Sequence, residues 1–233
     1  MFVHKVAEKA RGLLPGSVFG WLRGIGTAIL TPISFSYKTG HLHSSLKRKA
    51  VNPKGAPLPW YTYPAIDFLA AKDFTGKSVL EFGAGQSTLW WAERAANVTS
   101  FESDRDWYNS LKPSLPDTVR LVETDNHATE LESTCNGDRF DLIIIDGLNR
   151  LVCAHKSLTL CRENGAIILD NSEGYWGPDG QYPIIELFRR QGFQRIDFYG
   201  YAPGVILPAC TSLFFKDSCF LLSGSENPYK LVK

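Results

Sequence analysis

From residue 64 onward the chain alternates short β-rich runs with helical stretches, and this alternation narrows the choice of fold sharply. The β-rich runs are residues 78–82, 98–102, 119–123, 141–146, 166–170, 195–199 and 211–216. Between or before them the spacing predicts helices over 64–72, 88–96, 106–111, 151–161 and 183–191. Runs such as Leu142-Ile143-Ile144-Ile145 are apolar at every position rather than at alternate ones, so both faces of the sheet must be covered. Strands alternating with helices then read as an α/β fold of Rossmann-like type, a mostly parallel sheet with helices on both faces. In such sheets ligands bind beyond the carboxyl ends of the strands, so the loops after each strand are where function is sought.

The first sixty residues are different in kind. They carry nine Lys/Arg against one acid, Glu8, a balance of +8, whereas the whole chain of 233 residues has a net charge of +1. The remainder is therefore acidic at −7, which argues against a nucleic-acid partner for the body. Residues 2–14 place Phe2, Val3, Val6, Ala10 and Leu13 at helical spacing, and residues 18–30 read as a second helix that Pro32 ends. That second stretch falls short of the ~20 apolar residues a membrane span requires. Residues 31–62, punctuated by Pro32, Gly40, Pro53, Gly55, Pro57 and Pro59, read as an irregular connector. The expected organisation is an amphipathic cap over residues 1–62 and a ligand-binding domain over 63–233. Five cysteines without a CxxC spacing point to a reducing, cytoplasmic setting. The basic arm offers peripheral membrane contact through residues 1–35, and a homo-oligomer is left open.

The first strand ends in Glu81-Phe82-Gly83-Ala84-Gly85-Gln86-Ser87-Thr88. Its glycines allow a tight turn and close approach of the backbone to a ligand, and the next helix offers unpaired N–H groups. The second strand ends at Glu102-Ser103, nineteen residues past Gly83, the spacing at which an acid grips a ribose diol. Together these features indicate an adenosine-containing cofactor. A dinucleotide fingerprint wants a third glycine where this chain has Thr88, and Glu81 beside the turn would repel a pyrophosphate. It suits a cationic amino-acid ligand.

On these residues the chain resembles the class I S-adenosylmethionine-dependent methyltransferases over roughly residues 64–216. The resemblance implies a seven-stranded sheet whose last strand is antiparallel. It also implies a cofactor site of Glu81, Gly83, Ala84, Gly85, Gln86, Ser87, Glu102, Ser103, Asp125 and Asp146. Further along, Asp146-Gly147 and Asp170-Asn171 end adjacent strands, three oxygen donors of the kind a hard divalent cation takes. This is similar to the triad of the metal-dependent O-methyltransferases of the catechol and caffeoyl-CoA type. By that likeness Asp146, Asp170 and Asn171 would hold Mg²⁺ or another divalent cation against the acceptor hydroxyl.

The chain departs from that family where a lysine is expected as base: the position holds Asn149, followed by Arg150. Arginine stays protonated, so Arg150 can orient or stabilise an oxyanion but cannot take a proton. The alternative to the metal site is a metal-free one in which Asp146 or Asp170 is the base. The expected activity is methyl transfer to a small-molecule hydroxyl, of a sugar or a phenol, with Asp146, Asp170 and Arg150 as catalytic residues. Alternatives are a metal-independent methyltransferase acting on nitrogen or carboxylate, and an NAD-binding oxidoreductase on the same architecture. His127, His155 and Cys153 are weaker candidates. His41 and His43 could reach the acceptor pocket from the cap, and Glu173, Tyr175 and Trp176 follow the second aspartate on a loop suited to shaping it. The aromatic connector Pro59-Trp60-Tyr61-Thr62-Tyr63-Pro64 reads either as a packing plug or as a lid.

Overall fold

A computed structural model describes residues 11, 15–124, 134–135, 137–174 and 182–222. The strands are β1 (Ser78–Phe82), β2 (Asn97–Glu102), β3 (Val119–Glu123), β4 (Phe140–Ile145), β5 (Cys161–Leu169), β6 (Gln194–Gly200) and β7 (Ala209–Phe215). They form one sheet in the order β3-β2-β1-β4-β5-β7-β6. Only β7 runs against its neighbours, pairing antiparallel with both β5 and β6; the other pairs are parallel. The chain reverses direction once at β1 and β4, and the crevice between those two strands is the place such a topology prepares for a ligand.

Side chains leave successive strand positions on opposite faces, so the central strands feed two cores. On one face Val79, Leu142, Ile144, Ala166 and Ile168 pack with helices α3 (Tyr63–Ala70) and α4 (Gln86–Ala92). On the other, Leu80, Phe82, Ile143, Ile145 and Ile167 pack with α6 (Arg150–Leu160) and α7 (Tyr182–Arg190). Helix α5 (Arg105–Leu111) follows β2, opened by Asp104, whose carboxylate accepts from the Trp107 N–H at 2.9 Å. Within β5 the ladder shifts register between Phe140 and Leu142 of its neighbour, which lets the strand begin at Cys161, five residues before its apolar run.

The N-terminal segment departs from the sequence reading. Helix α1 (Gly16–Lys38) continues through Pro32 to Lys38, 23 residues in all, and is followed by α2 (His41–Lys47). Proline removes the bond to the Ala28 carbonyl, but this face is exposed, so solvent can serve the carbonyl and the helix need not stop. The stretch is therefore not too short to cross a membrane: α1 has the length and composition for it. Residues 2–10 and 12–14 lie outside the described residues.

Candidate active site

The strand ends are joined to one another beyond the last ladder pairs. Gly83 N donates to Phe101 O (2.9 Å), Asp146 N to Phe82 O (3.0 Å) and Asp170 N to Ile145 O (3.2 Å). Gly83 has φ +96°, and a Cβ there would stand 2.9 Å from the Asp146 carbonyl oxygen. A Cβ on Gly147 would stand 3.1 Å from Gly83 N. The turns after β1 and β4 therefore touch backbone to backbone. In front of them lies a cleft of ≈ 620 Å³, within the usual range for small-molecule sites. Of the proposed cofactor residues, Gly83, Ala84, Gly85, Gln86, Ser87, Glu102, Ser103 and Asp146 line it. Asp125 lies outside the described residues.

Two acids organise the turn in different ways. Glu102 accepts from Ala84 N (3.1 Å), Ser103 N (2.8 Å) and Asp104 N (2.8 Å), so it ties the loops after β1 and β2 together. A carboxylate has about four acceptor sites, which leaves one for a ligand hydroxyl. Glu81 is fully buried and lies beneath the turn rather than on the cleft wall. Its Oε2 accepts from Thr88 Oγ1 (2.5 Å) and Ser100 Oγ (2.8 Å), and its Oε1 has no partner. Burial pushes its pKa up to about 7 against the pull of the hydroxyls of Ser87, Thr88 and Ser100. Thr88 also accepts from Gly85 N at 2.9 Å, so the residue at the third-glycine position locks the turn to the buried acid.

Asp146 and Asp170 also meet in the cleft wall, with Arg150 between their chains. Arg150 donates from Nε to Gly147 O (3.1 Å), from Nη2 to Asp146 Oδ1 (3.3 Å) and from Nη1 to the Asp170 carbonyl. Burial raises Asp146 to about 6, with Arg150 pulling it down. Burial and the charge of Asp146 drive Asp170 well above the carboxylate range, while a 2.6 Å bond from Thr211 Oγ1 to its Oδ1 acts the other way. Asn171 lines the cleft in a left-handed conformation, φ +48°. These donors do not fit the divalent cation that the resemblance implies. Arg150 already engages Asp146 Oδ1 and Thr211 engages Asp170 Oδ1, so donor atoms that the cation would need are taken. Among the described residues no cluster of three or more His, Cys, Asp or Glu is placed to hold a metal, a donor set that leaves out the amide of Asn171.

Other candidates fall out differently. The aromatic connector divides between its two readings: Tyr61 is fully buried beneath the site, while Trp60 lines the cleft and donates from Nε1 to Pro203 O (2.9 Å). The Tyr61 hydroxyl accepts from Trp91 Nε1 (3.3 Å), and burial with Glu81 nearby raises its pKa. His41 does not line the cleft; its Nδ1 accepts from Gly204 N (3.2 Å), and burial lowers its pKa. His43 does not line it either. Glu173 is bound to the backbone, accepting from Cys210 N (2.8 Å), and Cys153 is buried. His127, Tyr175 and Trp176 lie outside the described residues. Trp107 was missed by sequence reasoning, although the Asp104 helix cap after β2 pointed to that position. It lines the cleft and donates from Nε1 to Ala84 O (2.7 Å).

No protein-family model and no curated protein matches the chain. Solved structures do. Cofactor-bound Rv0187 from MTB is 20% identical, with 80% of this chain and 95% of that one covered and a TM-score of 0.54. The precorrin-6y C5,15-methyltransferase from Geobacter metallireducens GS-15 is 14% identical, with 66% and 87% covered and a TM-score of 0.52. The fold is that of the class I S-adenosylmethionine-dependent methyltransferases. The O-methyltransferase TomG from Streptomyces achromogenes, solved with SAM, gives a TM-score of 0.47 at 18% identity, with 64% and 77% covered. In methyltransferase-fold terms, the glycine turn after β1, the acid ending β2 and the aspartate ending β4 all border one cleft.

Proposed function

We propose that the chain is an S-adenosylmethionine-dependent methyltransferase acting on a small-molecule hydroxyl without a metal. The observation that carries this reading is a single cleft bordered by a glycine turn with no room for a side chain, by Glu102, and by the paired Asp146 and Asp170. Asp146 and Asp170 in the cleft wall, with Glu81 buried behind it, favour a cationic ligand and disfavour a pyrophosphate. When bound, the cofactor supplies an electrophilic methyl on a sulfonium. Glu102 offers its remaining acceptor site to a ribose hydroxyl, and Trp107 gives the cleft an aromatic wall.

The chain's own residues then handle the acceptor. Arg150 fixes the Asp146 carboxylate at the cleft wall, and Asp146, with a pKa near 6, is ionised at neutral pH and able to take the hydroxyl proton. Loss of that proton would leave the acceptor oxygen nucleophilic toward the methyl group that the bound cofactor would supply. Asp170, held by Thr211, stays the more protonated of the pair.

Thermal shift with S-adenosylhomocysteine and with NAD tests the assignment. Stabilisation by S-adenosylhomocysteine alone, lost in Glu102→Ala, is the expected result. Stabilisation by NAD alone would replace the reading with an oxidoreductase.

A further inference from the structure

We propose that α1 and the loop 203–208 form one lipid-facing surface, so that the cleft opens at a bilayer and its acceptor is a membrane amphiphile. The acceptor class rests on the methyltransferase reading; the membrane seat does not.

Helix α1 stands off the body. None of its residues is buried among the described ones, and Phe19, Gly26, Phe35 and Ser36 are the ones partly covered. Val18, Trp21, Leu22, Ile25, Ile29 and Ile33 are all exposed. At 100° per residue these six share one broad face, while Arg23, Thr27, Thr31 and Lys38 align on the other. A helix crossing the bilayer would set that polar stripe in hydrocarbon. One lying in the interface puts it among headgroups and its apolar face in the acyl region. The charge agrees: Lys38, Lys47, Arg48, Lys49 and Lys54 are exposed on the same cap, matching an anionic lipid surface.

The apolar surface continues to the cleft. Phe35, near the end of α1, packs edge-on against Tyr63 with centroids 5.3 Å apart, and lies 6.4 Å from the Tyr201 ring. Immediately after α1, the cap grips the loop at Gly204: His41 Nδ1 accepts from its N–H, and Ser45 Oγ donates to its carbonyl (3.2 Å). The loop's tip, Ile206 and Leu207, is 86% and 66% exposed, while its Val205 lines the cleft beside Trp60. An amphiphile could therefore keep its chain in lipid, pass Val205 and Trp60, and bring a hydroxyl to Asp146.

The test uses the full chain and vesicles of phosphatidylcholine with or without phosphatidylglycerol. Flotation of the wild type on anionic vesicles is expected, weakened by about tenfold on phosphatidylcholine alone because each basic residue contributes to anionic binding. The exposed pair Ile25→Asp/Ile29→Asp should abolish flotation while leaving S-adenosylhomocysteine affinity unchanged. An environment-sensitive fluorophore on Ile206→Cys should shift to the blue on vesicles, and one on Asp117→Cys, at the opposite end of the strands, should not. A wild type that stays unbound, or forms an α1-dependent dimer in place of binding, overturns the proposal. So does binding with no spectral change at Ile206. Flotation without S-adenosylhomocysteine binding would instead refute the methyltransferase reading and spare the membrane seat.

Discussion

Replacing Gly83 by alanine tests the geometry on which the cofactor site depends. The new Cβ would meet the Asp146 carbonyl oxygen at 2.9 Å and the Gly147 Cα at 3.0 Å, and both are backbone atoms that cannot rotate away. A positive φ costs an L-residue about 1–2 kcal/mol, and forcing a methyl into packed backbone adds about 1–3 kcal/mol. The sum, about 2–5 kcal/mol, is a large part of an ordinary domain's stability. For a chain of this size it corresponds to a fall in Tm of roughly 4–20 °C. Gly85 is the control. Its φ of −175° is extended backbone, and its Cβ would meet nothing nearer than Ser87 Oγ at 3.9 Å. Thermal melts and calorimetric titration with S-adenosylhomocysteine read both variants. Gly83→Ala should melt lower and lose affinity, and Gly85→Ala should leave the melting temperature little changed. A Gly83→Ala protein that melts and binds like the wild type would show that the turns after β1 and β4 do not press together.

Glu81 should make stability pH-dependent. Its folded pKa of about 7 lies above the ordinary 4.5, so its contribution is fully present below pH 4.5 and is lost as pH rises through 7. That loss amounts to about 3 kcal/mol; urea unfolding across this range should show it in the wild type and a flatter profile in Glu81→Gln. An equal slope in both would remove Glu81 as the source. Thr88→Val deletes the bonds to Glu81 and Gly85 together and should cost about 2–4 kcal/mol in the same assay. A neutral result would mean that the threonine does not lock the turn. Adding Mg²⁺ or a chelator should leave the Tm of the S-adenosylhomocysteine complex unchanged, because Arg150 already bridges the aspartate segments. A rise with Mg²⁺ would restore the metal reading.

Strands bounded by local signals were legible from the chain alone. β1 and β3 fall on the residues expected, since each is a short apolar run closed by a turn. β5 begins earlier because Arg162, Glu163 and Asn164 carry no apolar pattern and are set in the sheet by a register shift. Pro32 misled because its rule assumes that a lost hydrogen bond cannot be replaced, and α1 is exposed where it occurs. At the site, glycines and terminal acids announced themselves by spacing. Their partners did not: Ser100, Thr211 and Tyr61 reach Glu81, Asp170 and Trp91 only through the folded chain. Position along the strand placed Glu81 beside the turn but did not reveal that its side chain lies buried beneath it, off the cleft wall. Arg150 showed its charge in the sequence, but not that its donors are engaged by Gly147, Asp146 and Asp170.

The way the cap meets the sheet also bears on inheritance. Thr62 donates from N to Thr211 Oγ1 (3.0 Å) and from Oγ1 to Phe198 O (2.9 Å), and Tyr63 N donates to Tyr201 O (2.8 Å). With Gly204 gripped by α2, the N-terminal segment and residues 198–211 share one seam. A chain exchanging one for a foreign sequence would leave the other with unmatched donors and acceptors. Descendants of this fold that take a new N-terminal segment must therefore alter the β6–β7 connection with it, and the two should change as a pair.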